Sequence, residues 1–353
     1  MIEAPRIGFC RSGPRDSIAD VAGVTVGHLT LDDGGVQTGV TVVRPHAGDA
    51  YRAPVPAAAV VLNGFGKTAG LSQLNELGSL ESPIALTNTF AVGSIYTAMV
   101  RHAVAANPAI GRTAPTLNPV VGECNDGWLN DLQRFAVQEA HYAQAFDAAA
   151  ADFAQGAVGA GRGMSCFGVK GGIGSASRTA QGGGQPVTLG ALVLANFGRP
   201  AALTVRGVHL GRLLTKATLD GSGPDRGSII VVLATDAQLD HRQLRRIAMR
   251  AAAGIARTGS SFGHGSGDIA IAFAAPGGPK PTGNARTPPA SNLPDDALDP
   301  LFDAAAEATE QAIVHALFAA QTVTGHAGHV RHALTERIPH WPTLFADASG
   351  FAR

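Results

Sequence analysis

Ser228 is the residue whose position most needs explaining. It follows the turn-rich stretch 220–227 (DGSGPDRG) and opens the apolar run 228–234 (SIIVVLA). Buried strands usually start on an apolar side chain, so a hydroxyl at this point has two readings. One is a strand-edge serine bonded to its own turn. The other is an N-terminal nucleophile: the serine cuts the Gly227–Ser228 bond, and the freed α-amine serves as general base for the hydroxyl. An α-amine titrates near pH ~8, so part of it is unprotonated at neutral pH without help from a histidine. Gly227 suits that reading, because it leaves the preceding carbonyl unobstructed and tolerates strained backbone.

Four other segments carry groups that could serve such a nucleophile. In 263–268 (GHGSGD), Ser266 and Asp268 share a face if the chain is extended, and a Ser-x-Asp pair can orient or relay a proton; a glycine-rich hairpin with a turn-capping aspartate is the alternative. In 121–131 (VGECNDGWLND), Glu123 is a candidate for binding a substrate ammonium, Asn125 for a polar contact, and Trp128 for a pocket wall. Part of that segment must be ordinary capping and turn formation. Asn196, at the end of the apolar run 189–195, offers a side-chain amide as an oxyanion donor or merely forms a turn. The glycine-rich stretch 163–178 lacks the order of a phosphate loop and reads as a hairpin beside a site. His326, His329 and His332 do not share one helical face and read as surface residues.

The elements that must position these groups are legible in part. Buried strands are expected around 24–26, 39–43, 57–62, 189–195, 228–234 and 269–274, where apolar and β-branched residues are bounded by Gly, Pro or Asp. Helices are expected over 92–106, from Leu129 to about Ala143 after the GWLND turn, over 242–257, and over 301–320 with Asp299-Pro300 as cap and first-turn proline. The stretch 276–296 is Pro/Gly-rich and reads as a long loop, and the tail beyond Gly325 reads as weakly structured. A single layered α/β domain over 1–353 is the economical architecture.

Composition limits what such a domain does. Lys+Arg and Asp+Glu both number 27 and the net charge is zero, which argues against a nucleic-acid footprint. Three cysteines without a C-x-x-C pair support neither a disulfide framework nor a structural zinc. No metal or organic cofactor is required by the candidate residues. The N-terminus lacks a signal-like apolar segment and no run reaches the roughly 18 apolar residues of a membrane span, so a cytoplasmic protein with no membrane partner is expected. The 45 glycines are conspicuous, and with 21 prolines they fall short of the roughly 25–30% that marks disorder. They read as backbone passing close to backbone.

Together, LTNTFAVG (86–93), VGECNDGWLND, KGGIGSASR (170–178), LVLANFG, GSIIVVLATDA and HGSGD occur in an order that resembles the L-aminopeptidase/D-amidase/D-esterase family, which includes the β-peptidyl aminopeptidases. The resemblance spans about residues 5–320. It implies an α-β-β-α sandwich like that of the N-terminal-nucleophile hydrolases but with different connectivity, and self-cleavage into chains 1–227 and 228–353. It further implies that Ser228 attacks the substrate carbonyl, Asn196 supplies the oxyanion hole, Ser266 and Asp268 assist proton transfer, and Glu123 receives the free amino group of a short peptide, amide or ester. A homotetramer of processed pairs is also implied. Three positions depart from the family pattern: Trp128 in place of a tyrosine, Asp268 in place of the longer glutamate of some members, and Cys124 in place of a threonine. An acyl or acetyl transferase on the same scaffold, or a non-catalytic relative, remain the alternatives.

Overall fold

The structure is a computed structural model that describes residues 3–217, 227–275 and 293–346. The chain opens with the hairpin β1 (Thr25–Asp33) and β2 (Val36–Arg44), followed by β3 (Val55–Gly64), α1 (Leu71–Leu77), β4 (Ser79–Leu80), β5 (Ile84–Asn88), α2 (Val92–Ala106), β6 (Val120–Cys124) and α3 (Glu139–Asp147). A small hairpin, β7 (Ser165–Cys166) and β8 (Val169–Lys170), leads into the long pair β9 (Gly172–Gly182) and β10 (Gln185–Asn196). Then come α4 (Gly211–Ala217), β11 (Ser228–Thr235), α5 (His241–Arg257), β12 (Gly267–Ala274) and α6 (Asp299–Ala319). The hairpin β13 (Val323–Thr324) and β14 (Val330–Arg331) and the short helices α7 (Leu334–Arg337) and α8 (Trp341–Ala346) complete the described chain.

Two sheets carry the core. One is four-stranded, in the order β1-β2-β5-β6; the other is six-stranded, in the order β4-β3-β12-β11-β10-β9. Burial on both faces explains why their strands read as continuous apolar runs instead of alternating ones. The period-two geometry still sorts the side chains. Ile229, Val231 and Leu233 of β11 pack with the α5 and α6 residues Leu244, Ile247 and Ile313. Ile230, Val232 and Ala234 of the same strand join Leu86, Val120 and Cys124 of the opposite sheet. A third cluster places Val40, Ala85 and Val121 against Ile95 and Met99 of α2 and Tyr142 and Ala145 of α3. The layers are therefore α-β-β-α, the arrangement expected from the resemblance.

Several elements differ from the sequence expectation. The helix expected from Leu129 to about Ala143 does not form: Leu132–Arg134 is a single 3₁₀ turn capped by Asp131, Phe135 adopts φ +46°, and α3 starts only at Glu139. The left-handed Phe135 ends the turn, and tertiary contacts of the 126–130 segment override its helical spacing. Asp299 does not cap α6, because the N-cap is Leu298 and makes no side-chain bond; Pro300 does sit in the first turn. Residues 326–346 are not weakly structured: they include β14, α7 and α8, and Leu334, Ile338 and Phe345 join the core cluster of α5 and α6. Of the expected loop, 276–292 lies outside the described residues, and Asp295–Ala297 forms a 3₁₀ turn. α5 follows its apolar spacing and adds a capping box between Asp240 and Gln243.

The glycine-rich stretch 163–178 includes the start of β9, where Gly172 abuts the Gly156 backbone and Gly174 the backbone of α6. A Cβ on Gly174 would lie 1.9 Å from the Ala312 carbonyl oxygen and 2.6 Å from the Ala316 nitrogen of α6. Overpacking at such a contact costs about 1–3 kcal/mol or more. Gly174→Ala is therefore expected to lower the urea midpoint clearly. Gly93→Ala, on the exposed side of α2 with nothing within 4 Å, is expected to leave it unchanged or raise it slightly. Equal midpoints for the two variants would show that α6 does not press on β9 as described.

Candidate active site

Ser228 begins β11 in register with two neighbours at once: Asn196 at the end of antiparallel β10, and Gly267 at the start of parallel β12. Alternation along β11 turns its side chain to the face of Ile230 and Val232, between the sheets. Its Oγ accepts a hydrogen bond from the Gly267 N–H at 3.1 Å. Both glycines are dictated by space. A Cβ on Gly227 would lie 2.1 Å from the Asn196 carbonyl oxygen, and one on Gly267 would lie 2.7 Å from the Phe65 carbonyl oxygen and 3.1 Å from Ser228 Oγ. Neither has a positive φ, so close approach, not left-handed strain, explains them.

The other candidates gather around this point. Ser266 Oγ donates to Asp268 Oδ1 at 2.5 Å, and both residues are buried. Asn63 holds the loop before them: its Nδ2 donates to the Gly263 carbonyl at 3.0 Å and also to that of Ser266. Asn63 stands opposite Asp268 at a register shift between β3 and β12, a bulge that bends the strand where the site lies. Asn196 Oδ1 accepts from the Ser165 N–H at 2.8 Å, and its Nδ2 donates to the Asn125 carbonyl at 3.0 Å. These two bonds fix which end of the amide faces which neighbour.

Glu123 is in the last turn-free position but one of β6, not in a turn before a helix, and it is buried. Its Oε1 accepts from the Lys67 N–H at 2.8 Å, and its other oxygen accepts from the Thr89 hydroxyl. Gly66 lies between it and the start of β12: a Cβ there would lie 3.4 Å from Glu123 Oε1 and 3.7 Å from Gly267 Cα. The Asn125 side chain is spent on its own turn, accepting from the Gly127 N–H at 2.9 Å, while its carbonyl orients Asn196. Cys124 Sγ lies 3.3 Å from the Ser228 carbonyl oxygen. Burial pushes this thiol well above its ordinary range, which leaves it an inert neighbour and not a rival nucleophile. Ser260, the other serine after a glycine that could be weighed as a self-cleavage site, follows α5 and is outside any strand, and its Oγ accepts from the Phe262 N–H.

Trp128 is 44% exposed and packs on the C-terminal hairpin. Its ring stacks on His329 at 3.9 Å and 7°, and the Arg331 guanidinium lies 4.4 Å over it. His326 reaches only to 4.0 Å from Asp131, and His332 to 3.8 Å from Glu336. Of the three histidines read as surface groups, His329 is thus partly buried under the Trp128 ring. Thr89, Asn63, Ser165 and the hairpin had no signal of their own, although Thr89 lies inside the LTNTFAVG motif. Among the described residues no cluster of three or more His, Cys, Asp or Glu is arranged to hold a metal, and no helix is long and apolar enough to cross a membrane.

The next residue, Asp126, is fully buried and accepts from Asn130 Nδ2 at 3.0 Å; burial raises its carboxyl to about 7. An acid whose pKa is raised from 3.8 on folding contributes stability below the lower value and loses it as pH rises through the higher one. Subtracting the stability curve of Asp126→Asn from that of the wild type should give a difference that falls between pH 4 and 7. Parallel curves in urea titrations would contradict the burial of an ionisable Asp126.

The model of peptidase family S58 matches residues 16–331. A β-peptidyl aminopeptidase of Sphingosinicella microcystinivorans is 39% identical over 354 aligned residues, covering 94% of this chain and 87% of the relative. Among solved structures, a Pyrococcus horikoshii protein superposes with a TM-score of 0.90 at 44% identity, covering 98% of this chain and 97% of its own. An L-aminopeptidase D-Ala-esterase/amidase from Ochrobactrum anthropi superposes with a TM-score of 0.85 at 34% identity, covering 96% and 97%. The latter is described as a prototype of the serine aminopeptidases and a new variant among the Ntn hydrolase fold.

Proposed function

The chain belongs to peptidase family S58, and we propose that it is a self-processing serine aminopeptidase acting on short peptides, amides or esters with a free amino group. The observation that carries this reading is the position of Ser228: a hydroxyl at the first residue of a buried strand, with Asn196 paired on one side and Gly267 on the other. Cleavage of the Gly227–Ser228 bond gives Ser228 its own α-amine at the strand start. That amine takes the hydroxyl proton as Oγ attacks the substrate carbonyl. The carbonyl oxygen becomes an oxyanion, which Asn196 Nδ2 stabilises with the hydrogen not given to Asn125. The ammonium then returns its proton to the leaving amine, and water releases the acyl group by the same steps. The Ser266–Asp268 pair, with Oγ held by the carboxylate, keeps an acceptor lone pair beside this proton path.

Glu123 supplies the preference for an amino terminus. Its carboxylate is positioned by Lys67 N–H and Thr89 before substrate arrives. A carboxylate has about four lone-pair sites, so these two bonds leave room for a substrate ammonium. The resemblance extends to a homotetramer of processed pairs, which we include in the proposal on that basis.

Ser228→Ala is expected to abolish release of p-nitroaniline from aminoacyl p-nitroanilides of both α- and β-amino acids, whereas Ser260→Ala should retain it. Glu123→Gln should lower kcat/KM by about 10- to 100-fold, the value of a hydrogen bond to a charged group, and an N-acetylated substrate should not be cleaved. Full activity in Ser228→Ala would overturn the nucleophile assignment. Adding a free amine acceptor measures the partition of the acyl group, and dominance of the transfer product over hydrolysis would favour a transferase.

A further inference from the structure

We propose that Arg331, in the C-terminal hairpin, is a positioning residue for the Asn196 amide, and that it ties this amide to the Trp128 wall of the pocket. The inference rests on the reading of Asn196 as the oxyanion donor and of Trp128 as a wall of the pocket. Three contacts carry it. Arg331 Nε donates to Ser165 Oγ at 3.0 Å. The Ser165 N–H donates to Asn196 Oδ1 at 2.8 Å. The Arg331 guanidinium also lies 4.4 Å over the Trp128 ring, which stacks on His329 of the same hairpin.

The sense of the amide depends on this relay. A primary amide has an accepting and a donating end, and only the donating end is useful to an oxyanion. The Ser165 N–H claims the oxygen end, so Nδ2 turns to the Asn125 carbonyl. Ser165 lies on the short hairpin β7–β8, which has few strand bonds of its own. That hairpin is held from within by Lys170, whose fully buried Nζ donates to the carbonyls of Gly161, Met164 and Gly171 at 2.7–2.8 Å. From outside it is held by the C-terminal segment: the Lys170 N–H donates to the His332 carbonyl at 2.8 Å, and Arg331 grips Ser165. The segment is itself docked on the Trp128 loop, because His326 N–H donates to the Leu129 carbonyl at 2.7 Å and His329 Nδ1 lies 2.8 Å from the Trp128 carbonyl oxygen. A fixed guanidinium does both tasks at once, donating in its plane and stacking through its face, whereas a lysine ammonium is a point charge with no face to stack.

The test is a double-mutant cycle with Arg331→Ala and Ser165→Ala, complemented by Arg331→Lys. Rates are measured on a small aminoacyl p-nitroanilide and normalised to processed chain. Each alanine variant is expected to lose about 10-fold in kcat through a misplaced donor, and the double variant should be no slower than either single one, since both break the same relay. Arg331→Lys should recover most of kcat while raising KM, because the ring contact is lost. Losses that multiply to about 100-fold in the double variant, or an unchanged kcat in Arg331→Ala, overturn the relay. Should Arg331→Ala not fold, a kcat loss in Ser165→Ala with retention in Arg331→Lys is the required pattern, and any other refutes it. Ser228→Ala run alongside separates the two levels: activity without Ser228 removes the underlying reading, whereas an essential Ser228 with an indifferent Arg331 removes only this inference.

Discussion

The site depends on one constraint: β11 must start at Ser228 with its backbone closed in on both sides. Pairing with Asn196 and Gly267 sets where the serine hydroxyl stands, and this pairing is possible only because residues 227 and 267 have no side chain. A one-residue slip would turn Ser228 to the helix face of the sheet and bring Ile229 to its place. The continuous apolar alternation of β11, with Ile229, Val231 and Leu233 on one side and Ile230, Val232 and Ala234 on the other, resists that slip. Packing and chemistry are thus coupled through register.

Around this fixed point, polar groups are placed by their partners before any substrate arrives. Asn196 is held at both ends, Asp268 by Ser266, and Glu123 by a backbone N–H and a hydroxyl. Such preorganisation is what an acyl-transfer site needs, since donors that must reorient during reaction lose much of their value. The inert, buried Cys124 thiol fits beneath the Ser228 carbonyl without competing with the hydroxyl. The site draws on both sheets, β6 for Glu123 and β10, β11 and β12 for the rest, so it exists only when the sandwich is closed.

What could be read from the chain divides along lines of distance. The strand carrying Ser228, the Ser266–Asp268 pair two residues apart, and helix α5 all follow from local pattern, and the order of motifs pointed to the family. Glu123 stands out as a residue, but its strand does not, because VVGEC is too short for periodicity to distinguish a strand end from a turn. The amphipathic spacing after Trp128 misled for the opposite reason: the helix it describes is overruled by Phe135 and by the buried Asp126–Asn130 contact. Ser165, Asn63 and Arg331 are illegible locally because their partners are 31, 200 or more, and 166 positions away. The described residues after Gly325 are hard to read on the same ground, since their packing partners, Trp128 for His329 and Phe318 for Trp341, are distant in the chain.

The central claim is that Ser228 is an N-terminal residue in the working enzyme, and the most direct measurement is intact mass together with N-terminal sequencing of the purified wild-type protein. Self-cleavage at the nucleophile predicts fragments of about 23 and about 13 kDa, the smaller beginning Ser-Ile-Ile-Val. A single intact chain of 35.9 kDa that persists through prolonged incubation while hydrolysing substrate, or a small fragment with a different first residue, would contradict it.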